Sequence, residues 1–152
     1  MTYFRPASID DVPALSALIG RAFDPRYGEG WTSPQLLATM VLPGTAAEVA
    51  VVDGHVAGFA LTRTIVDEVE LLLVAVDPSG RRRGLGRDLV ARAIAQSRIA
   101  GAVRLHLEVR DSNVAAMQLY LQLDFVCVGR RQSYYCGADN QRFDAITMSL
   151  PL

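Results

Sequence analysis

Residues 69–87 read VELLLVAVDPSGRRRGLGR, and this stretch predicts a buried strand, a tight turn and the start of a helix. Val69–Val76 is nearly continuous in apolar residues, as expected of a strand that is covered on both faces. The turn-forming run Asp77–Gly80 ends that strand. From Leu85 to Ala100, apolar residues recur at helical spacing, and Gly101 is suited to end the helix.

The strand and helix pattern repeats further along the chain. In Val103–Arg110 apolar and polar residues alternate strictly, which is typical of a strand with one buried face. Asn113–Leu123 predicts another helix, and two strands follow at Phe125–Val128 and Phe143–Leu150. A strand, a helix and a second strand predict at least one parallel pair around the central helix.

The residues before this stretch predict helices followed by a hairpin. The predicted elements are a helix at Ser8–Arg21, a loop at Phe23–Ser33, a short helix at Pro34–Leu42 and strands at Ala47–Val52 and His55–Thr62. Asp53-Gly54 between these strands suits a type I′ turn. The order of elements indicates an α+β, or mixed α/β, fold.

Length, composition and charge narrow the class of protein to which the chain can belong. The chain has 152 residues, 51% of them hydrophobic, which predicts one folded domain over residues 1–152. A net charge of −1 argues against electrostatic binding of nucleic acid over a broad surface. No apolar run approaches the ~20 residues of a membrane span, and the opening MTYFRP lacks the pattern of a signal peptide. We therefore expect a cytoplasmic protein without nucleic-acid or membrane partners.

The two cysteines, Cys127 and Cys136, form neither a CxxC motif nor a Cys/His cluster. The sequence therefore predicts no disulfide framework and no metal site. Cys127 is predicted to be a small buried residue on a strand. The alternative, a catalytic thiol, would need a histidine nearby in space.

Residues 81–87 place four arginines and two glycines at the start of the predicted helix. They are Arg81, Arg82, Arg83, Gly84, Gly86 and Arg87. The first turn of a helix has unpaired N–H groups and partial positive charge, which bind phosphate oxygens. Because the helix dipole disfavours cations there, the pattern favours an anion site over a solvated basic turn. The motif is neither a Walker loop nor GxGxxG.

The spacing Arg81-x-x-Gly84-x-Gly86, after a strand that ends Val-Asp-Pro, resembles the acetyl-CoA pyrophosphate loop of the GNAT N-acetyltransferases. Further GNAT-like runs follow in order: DEVEL at 67–71, LEVRxSNxAA at 107–116 and LYxxLxF at 119–125. The closing runs, RRQSYY at 130–135 and DAIxMxL at 144–150, resemble one branch of the family. That branch acetylates the N-terminal alanine of small-subunit ribosomal protein eighteen.

The resemblance implies a GNAT fold. This is a central, mostly antiparallel sheet of about seven strands with a parallel splayed pair in the middle, flanked by about four helices. It also implies acetyl-CoA as the co-substrate and no metal. The loop at 24–30 is longer than the family usually has at the substrate side, so the acceptor is where this chain departs from the pattern.

The resemblance places a general base at Glu108 and an acid for the leaving CoA thiolate at Tyr120. From the residues alone, Glu108 could equally be a solvated strand glutamate or one paired with Arg104 or Arg110. Tyr120 could equally be an aromatic residue on the inner face of its helix.

Other residues share the polar side of these strands. Glu68 and Glu70 are fallback bases, since some GNATs place the base on the preceding strand. His106 could relay a proton, although a lone strand histidine is more often structural.

The resemblance also implies a CoA site and a peptide site. The CoA residues are Val74, Ala75, Val76, Arg81, Arg82, Arg83, Gly84, Leu85, Gly86, Arg87 and Asn113. Trp31, Tyr134 and Tyr135 are predicted for the peptide site, with ordinary aromatic packing as the alternative. An arginine in the acceptor peptide would need an acidic partner, and Glu29, Glu68 and Asp139 are candidates.

The sequence thus predicts transfer of acetyl from acetyl-CoA to a protein N-terminal α-amine. The alternatives are a GNAT enzyme for a small-molecule amine or a lysine, a non-catalytic acyl-CoA-binding module, and a nucleic-acid binder built on the arginines.

Overall fold

A computed structural model describes all residues from Met1 to Leu152 and contains one seven-stranded sheet. The strands are β1 (Thr2–Pro6), β2 (Thr45–Val52), β3 (His55–Ile65), β4 (Glu68–Val76), β5 (Arg104–Arg110), β6 (Val126–Cys136) and β7 (Arg142–Pro151). The helices are α1 (Val12–Ala22), α2 (Ser33–Met40), α3 (Leu85–Ile99) and α4 (Val114–Gln122). Short 3₁₀ turns lie at Ile9–Asp11, Pro25–Tyr27 and Pro78–Gly80.

The strand order in the sheet is β1-β2-β3-β4-β5-β7-β6. Only β4 and β5 are parallel, and α3 connects them, while all other neighbours are antiparallel. This arrangement confirms the predicted fold class. None of the helices has the length and apolar content needed to span a lipid bilayer.

The parallel pair separates soon after it begins. β4 and β5 are in register only from Glu68 with Arg104 to Glu70 with His106. Beyond Glu70, the edge of β4 that faces β5 is open. On its other edge, β4 pairs with β3 with one irregularity: Leu61 is opposite Leu73 and Thr62 opposite Leu71, so Leu72 has no partner. The opening between the two strands lies in the middle of the sheet.

Helices cover both faces of the sheet. On one face, α3 packs its buried residues, among them Leu89 and Val90, against Leu71, Leu105 and Leu107 of the sheet. On the other face, α1 packs against Phe59, Leu61 and Leu73. Burial on both faces explains why β4 is nearly continuous in apolar residues.

Two strands differ from the sequence prediction by more than a few residues at an end. β1 was not predicted, because five residues are too few to show alternation. β6 runs to Cys136, well beyond the predicted end at Val128. It is an edge strand that pairs only with β7 and is exposed along nearly its whole length, so its polar residues carry no hydrophobic period. For the same reason the prediction of a buried Cys127 is wrong, since no layer covers that edge and the side chain is exposed.

The first helix begins later than predicted. A 3₁₀ turn, Ile9–Asp11, precedes α1, and the Asp11 carboxylate accepts a hydrogen bond from the backbone N–H of Ser8 at 2.8 Å. The hairpin turn agrees with the prediction, because Asp53 and Gly54 both have positive φ angles, of 50° and 82°.

Candidate active site

A cleft of about 580 Å³ opens where β4 and β5 separate. Its walls come from β4, β5, α2, α4, the segment around residue 30 and the Tyr134–Tyr135 pair of β6. The charged residues that line it are Glu29, Glu70 and Glu108, all acidic. The cleft is therefore suited to a ligand that carries positive charge.

Glu108 lies on β5 with its side chain only 8% exposed. The hydroxyl of Thr147 donates to Oε2 at 2.7 Å, and Nε of Arg131 lies 3.0 Å from Oε1. Thr147 lies on β7, which is next to β5, and Arg131 lies on β6, one strand further out. Each carboxylate oxygen is held by one contact, which fixes its orientation and leaves lone pairs toward the cleft.

Arg104 and Arg110, the partners considered as an alternative for Glu108, pair with other residues. Arg104 lies 3.6 Å from Glu68, and Arg110 lies 3.0 Å from Glu29. Arg131 and Thr147 are the functional neighbours that the sequence did not indicate, because both belong to strands remote in the chain.

Tyr120 lies on α4 and lines the same cleft. Its ring packs edge-to-face against Phe125 at a centroid distance of 5.7 Å. Burial, reinforced by the negative charge of Glu29, raises the pKa of Tyr120 to about 12. The phenol is therefore protonated at neutral pH and can act as a proton donor.

The predicted peptide-site aromatics also line the cleft. Tyr134 and Tyr135 pack edge-to-face with centroids 5.0 Å apart, and Trp31 lies on another wall. The hydroxyl of Tyr135 donates to the backbone carbonyl of Glu108 at 3.3 Å. Burial raises the pKa values of both tyrosines, so both remain neutral donors.

The loop at 24–30 is bound to the rest of the site. Gly28 has a φ of 69°, and a Cβ there would lie 2.0 Å from the carbonyl oxygen of Cys136. The Arg110 guanidinium stacks over the Tyr27 ring at 3.5 Å while it pairs with Glu29. These contacts hold the loop against β5 and against the end of β6, and they place Glu29 in the cleft wall.

The predicted acidic partners do not all reach the cleft. Glu29 lines it but is paired with Arg110. Glu68 is exposed, pairs with Arg104 and is absent from the lining. Asp139 lies in the turn after β6, where its carboxylate accepts from the Gln141 N–H at 3.2 Å. His106 also lies outside the lining of the cleft.

The arginine-rich corner, residues 81–87, comprises the turn before α3 and the first residues of that helix, as predicted. Gly84 caps the helix with a φ of 80°, a conformation that favours glycine, and Leu85 is the first helical residue. The side chains of Arg82, Arg83 and Arg87 are exposed and form no ion pairs, whereas Arg81 donates to the carbonyl of Ala22 at 2.7 Å. Three arginine side chains without ion pairs therefore lie near the unpaired N–H groups of the first turn of α3.

The remaining predicted CoA residues lie between this corner and the cleft. Val74 lines the cleft, whereas Ala75 is buried. Val76 contacts the α3 side of the core, and its Cγ2 would lie 3.6 Å from a Cβ at Gly86. Asn113 caps α4 by accepting from the Ala116 N–H at 3.3 Å, and it also lines the cleft.

These features fit acetyl-CoA. A diphosphate matches the free cations and the first turn of α3, and an extended arm matches the open edge of β4. The edge leads from the corner to the cleft that holds Glu108 and Tyr120.

Comparison with known proteins agrees with this arrangement. The model of the acetyltransferase (GNAT) family matches residues 15–125. The [ribosomal protein bS18]-alanine N-acetyltransferase of Salmonella typhimurium is 45% identical over 100 residues, which are 66% of this chain and 67% of that protein. Its counterpart from Escherichia coli K12 is 44% identical over the same extent.

Solved structures give the same result. The crystal structure of the ribosomal-protein-S18-alanine N-acetyltransferase from Escherichia coli superposes with a TM-score of 0.89 at 34% identity, covering 99% of this chain and 94% of that one. A putative acetyltransferase from Salmonella typhimurium, solved with its cofactor acetyl-CoA, shares the fold with a TM-score of 0.82 at 23% identity, covering 100% of this chain and 94% of that one.

Proposed function

Because this chain belongs to the acetyltransferase (GNAT) family, we propose that it transfers the acetyl group of acetyl-CoA to the N-terminal α-amine of a protein, that of an alanine on ribosomal protein bS18. Relatives that are 44–45% identical over 100 residues carry that activity in their names, and so does a crystal structure that superposes along almost the whole chain. We propose that residues 1–152 act as one GNAT domain, since all seven strands join one sheet. A ribosomal protein is made in the cytoplasm, which is where we expect the reaction.

The proposed acetyl-CoA binding site combines the open edge of β4 with the arginine-rich corner at the start of α3. Arg82, Arg83 and Arg87, with the N–H groups of the first turn of α3, would bind the diphosphate. The backbone of residues 74–76 would hydrogen-bond the pantetheine arm as an added strand. With the arm in that position, the thioester would lie in the cleft.

The acceptor amine must be neutral to attack the thioester carbonyl. An α-amine has a pKa of about 7.7–8.0 against about 10.4 for lysine, so its neutral form is easier to supply by ~3.5 kcal/mol. One carboxylate, acting directly or through one water, is then a sufficient base. Glu108, oriented by Arg131 and Thr147, is our proposed base.

The proposed reaction forms a C–N bond and breaks the C–S bond. The amine nitrogen attacks the carbonyl carbon, and its surplus proton passes to Glu108. The phenol of Tyr120 donates its proton to the leaving CoA thiolate. No acyl-enzyme is required, because the amine reacts with the thioester itself.

The observation that carries this proposal is the shared cleft. Glu108 and Tyr120 come from a strand and a helix that are separate in the chain, yet both line one opening between β4 and β5. A held carboxylate and a protonated phenol facing one space are the two proton carriers that acetyl transfer needs.

The test incubates the protein with acetyl-CoA and an alanine-initiated peptide and identifies the product by mass spectrometry. A peptide with a blocked N-terminus and an internal lysine is the matched control. We expect acetylation of the free α-amine only. Turnover of the lysine peptide or of a small amine, with no reaction at the alanine, would overturn the proposal. Binding of acetyl-CoA without any amine that stimulates release of CoA would favour a binding module.

A further inference from the structure

The charges in the cleft wall are unequally compensated. Arg110 neutralises Glu29 and Arg131 neutralises Glu108, each at 3.0 Å. Glu70 forms neither an ion pair nor a hydrogen bond, although it is half-buried and lines the same cleft. It is therefore the one carboxylate of the cleft that has no partner.

The neighbours of Glu70 do not supply one. Arg63 on β3 and His106 on β5 are its register partners, and neither contacts its carboxylate. Nε of Arg63 is buried without any hydrogen-bond partner, so this guanidinium is not satisfied by Glu70. A half-buried carboxylate without a counter-charge favours a cationic ligand.

The position of Glu70 relative to Glu108 defines which cation fits. Leu105 and Leu107 pack on the α3 side, as do Val69 and Leu71, so both glutamates face the opposite side of the sheet. Glu108 is two residues beyond His106, the register partner of Glu70. Because β4 and β5 separate beyond this pair, both carboxylates border the cleft that opens there.

We infer that Glu70 binds a cationic side chain at the second residue of the acceptor peptide, so that the enzyme prefers acceptors with arginine or lysine there. This inference rests on the proposed function. If the α-amine lies at Glu108, the second residue lies about 3.3 Å further along an extended chain. A long basic side chain from that residue spans the remaining distance, whereas an acidic one is repelled.

Glu70 replaces the three candidates that the sequence suggested for this role. Glu29 is already neutralised, while Glu68 and Asp139 lie outside the cleft lining. Which glutamate of the cleft stays without a partner depends on ion pairs between residues that are distant in the chain.

The experiment measures kcat and KM for three peptides that differ only at the second residue: Ala-Arg, Ala-Gln and Ala-Glu. The full chain is compared with Glu70→Gln, Glu70→Lys and, as a matched control on the same strand, Glu68→Gln. We expect the native protein to prefer Ala-Arg over Ala-Gln about tenfold in kcat/KM, mostly through KM. Glu70→Gln should remove most of that preference, and Glu70→Lys should favour Ala-Glu. Glu68→Gln should retain the native order.

The contrary outcomes are distinct. If Glu70→Gln keeps the preference, or if the native protein acetylates all three peptides equally, the inference fails while the proposed function stands. If Glu70→Gln lowers kcat equally for every peptide, Glu70 acts as the base, and its assigned role in selectivity is wrong. If no peptide is acetylated by any form, the proposed function fails and the inference fails with it. A thermal shift with acetyl-CoA that matches the native one shows that each variant is folded.

Discussion

Nε of Arg131 lies 3.0 Å from Oε1 of Glu108, so an exposed arginine on the edge strand holds a buried carboxylate in the cleft. Arg131 is 61% exposed and Glu108 is 8% exposed at the side chain. The arginine therefore approaches from outside and leaves the cleft side of the carboxylate free. The proposed base is positioned by a residue that need not touch the substrate.

Replacing Arg131 tests this positioning. We expect Arg131→Met to lower kcat about tenfold with little change in KM, because a misdirected base affects the chemical step more than binding. Arg131→Lys should recover part of the loss. The matched control is Arg130→Met, since Arg130 pairs with Asp111 and Asp144 rather than with Glu108. Equal losses in the two methionine variants would contradict a specific role of Arg131.

Tyr120 gives a prediction about pH. Its pKa of about 12 means that the phenol keeps its proton up to about pH 11. Activity should therefore not decline between pH 8 and about pH 10.5 through ionisation of this group.

Tyr120→Phe should lower kcat by about 10²-fold, at the lower end of general acid catalysis, because a thiolate leaves readily. Steady-state rates across that pH range measure both effects, and unchanged kcat in the phenylalanine variant would exclude the acid role.

The corner before α3 gives a prediction about cofactor affinity. Arg83→Gln and Arg87→Gln should each weaken acetyl-CoA binding by about threefold to tenfold, because each removes one charge-assisted contact. The loss should shrink at high salt, as screening weakens exposed charges. Isothermal titration measures the affinity. Arg98→Gln, at the far end of the same helix, is the control and should bind normally. An equal loss in that control would indicate a general effect of charge.

The Arg5–Asp11 pair gives a prediction about stability. Two hydrogen bonds of 2.8 Å join these side chains, and the Asp11 carboxylate is 12% exposed. The contact with Arg5 lowers the pKa of Asp11 from 3.8 to about 2. A carboxyl with a lowered folded-state pKa stabilises the protein above its unfolded value, and this contribution is lost as the pH falls through the folded value.

Asp11→Asn should therefore cost about 1–2 kcal/mol at pH 7 and much less at pH 2. Urea unfolding at both pH values measures the difference. Asp10→Asn alters the adjacent residue, which forms no ion pair, and serves as the control. A cost for Asp11→Asn that does not change with pH would contradict the assignment.

The loop at 24–30 gives a prediction about packing. Gly28→Ala should destabilise the protein by about 2 kcal/mol or more, because both its positive φ and the close carbonyl of Cys136 exclude a side chain. Gly54 also has a positive φ, of 82°, but no atom lies within 4 Å of its Cβ position. Gly54→Ala should cost only about 1 kcal/mol. Thermal unfolding of the two variants separates the steric part from the conformational part.

Local patterns predicted the centre of this fold. The apolar run of β4, the turn at 77–80 and the start of α3 each depend on neighbouring residues, and all were found. β6 was underestimated because an exposed edge strand needs no hydrophobic alternation. Its polar run gives the same signal as a loop.

The site was predicted less completely than the fold. Resemblance to the GNAT family suggested Glu108 and Tyr120, and both line the cleft. The sequence could not show that Arg131 and Thr147 hold Glu108, because ion pairs between distant strands depend on register. Nor could it show that Glu29 is neutralised while Glu70 is not, because the Glu29–Arg110 pair joins a loop to a strand that is distant in the chain.

The short register between β4 and β5 leaves the molecule as two half-sheets joined by three residue pairs and one helix. The inner edge of β4 then exposes backbone groups that most proteins cover within the fold. An acetyl-CoA molecule whose pantetheine arm lies along this edge would act as an eighth strand and fill the gap between β4 and β5. The substrate would thus be a piece of the architecture for as long as it is bound, and amide protons along residues 71–76 should exchange with solvent more slowly in its presence.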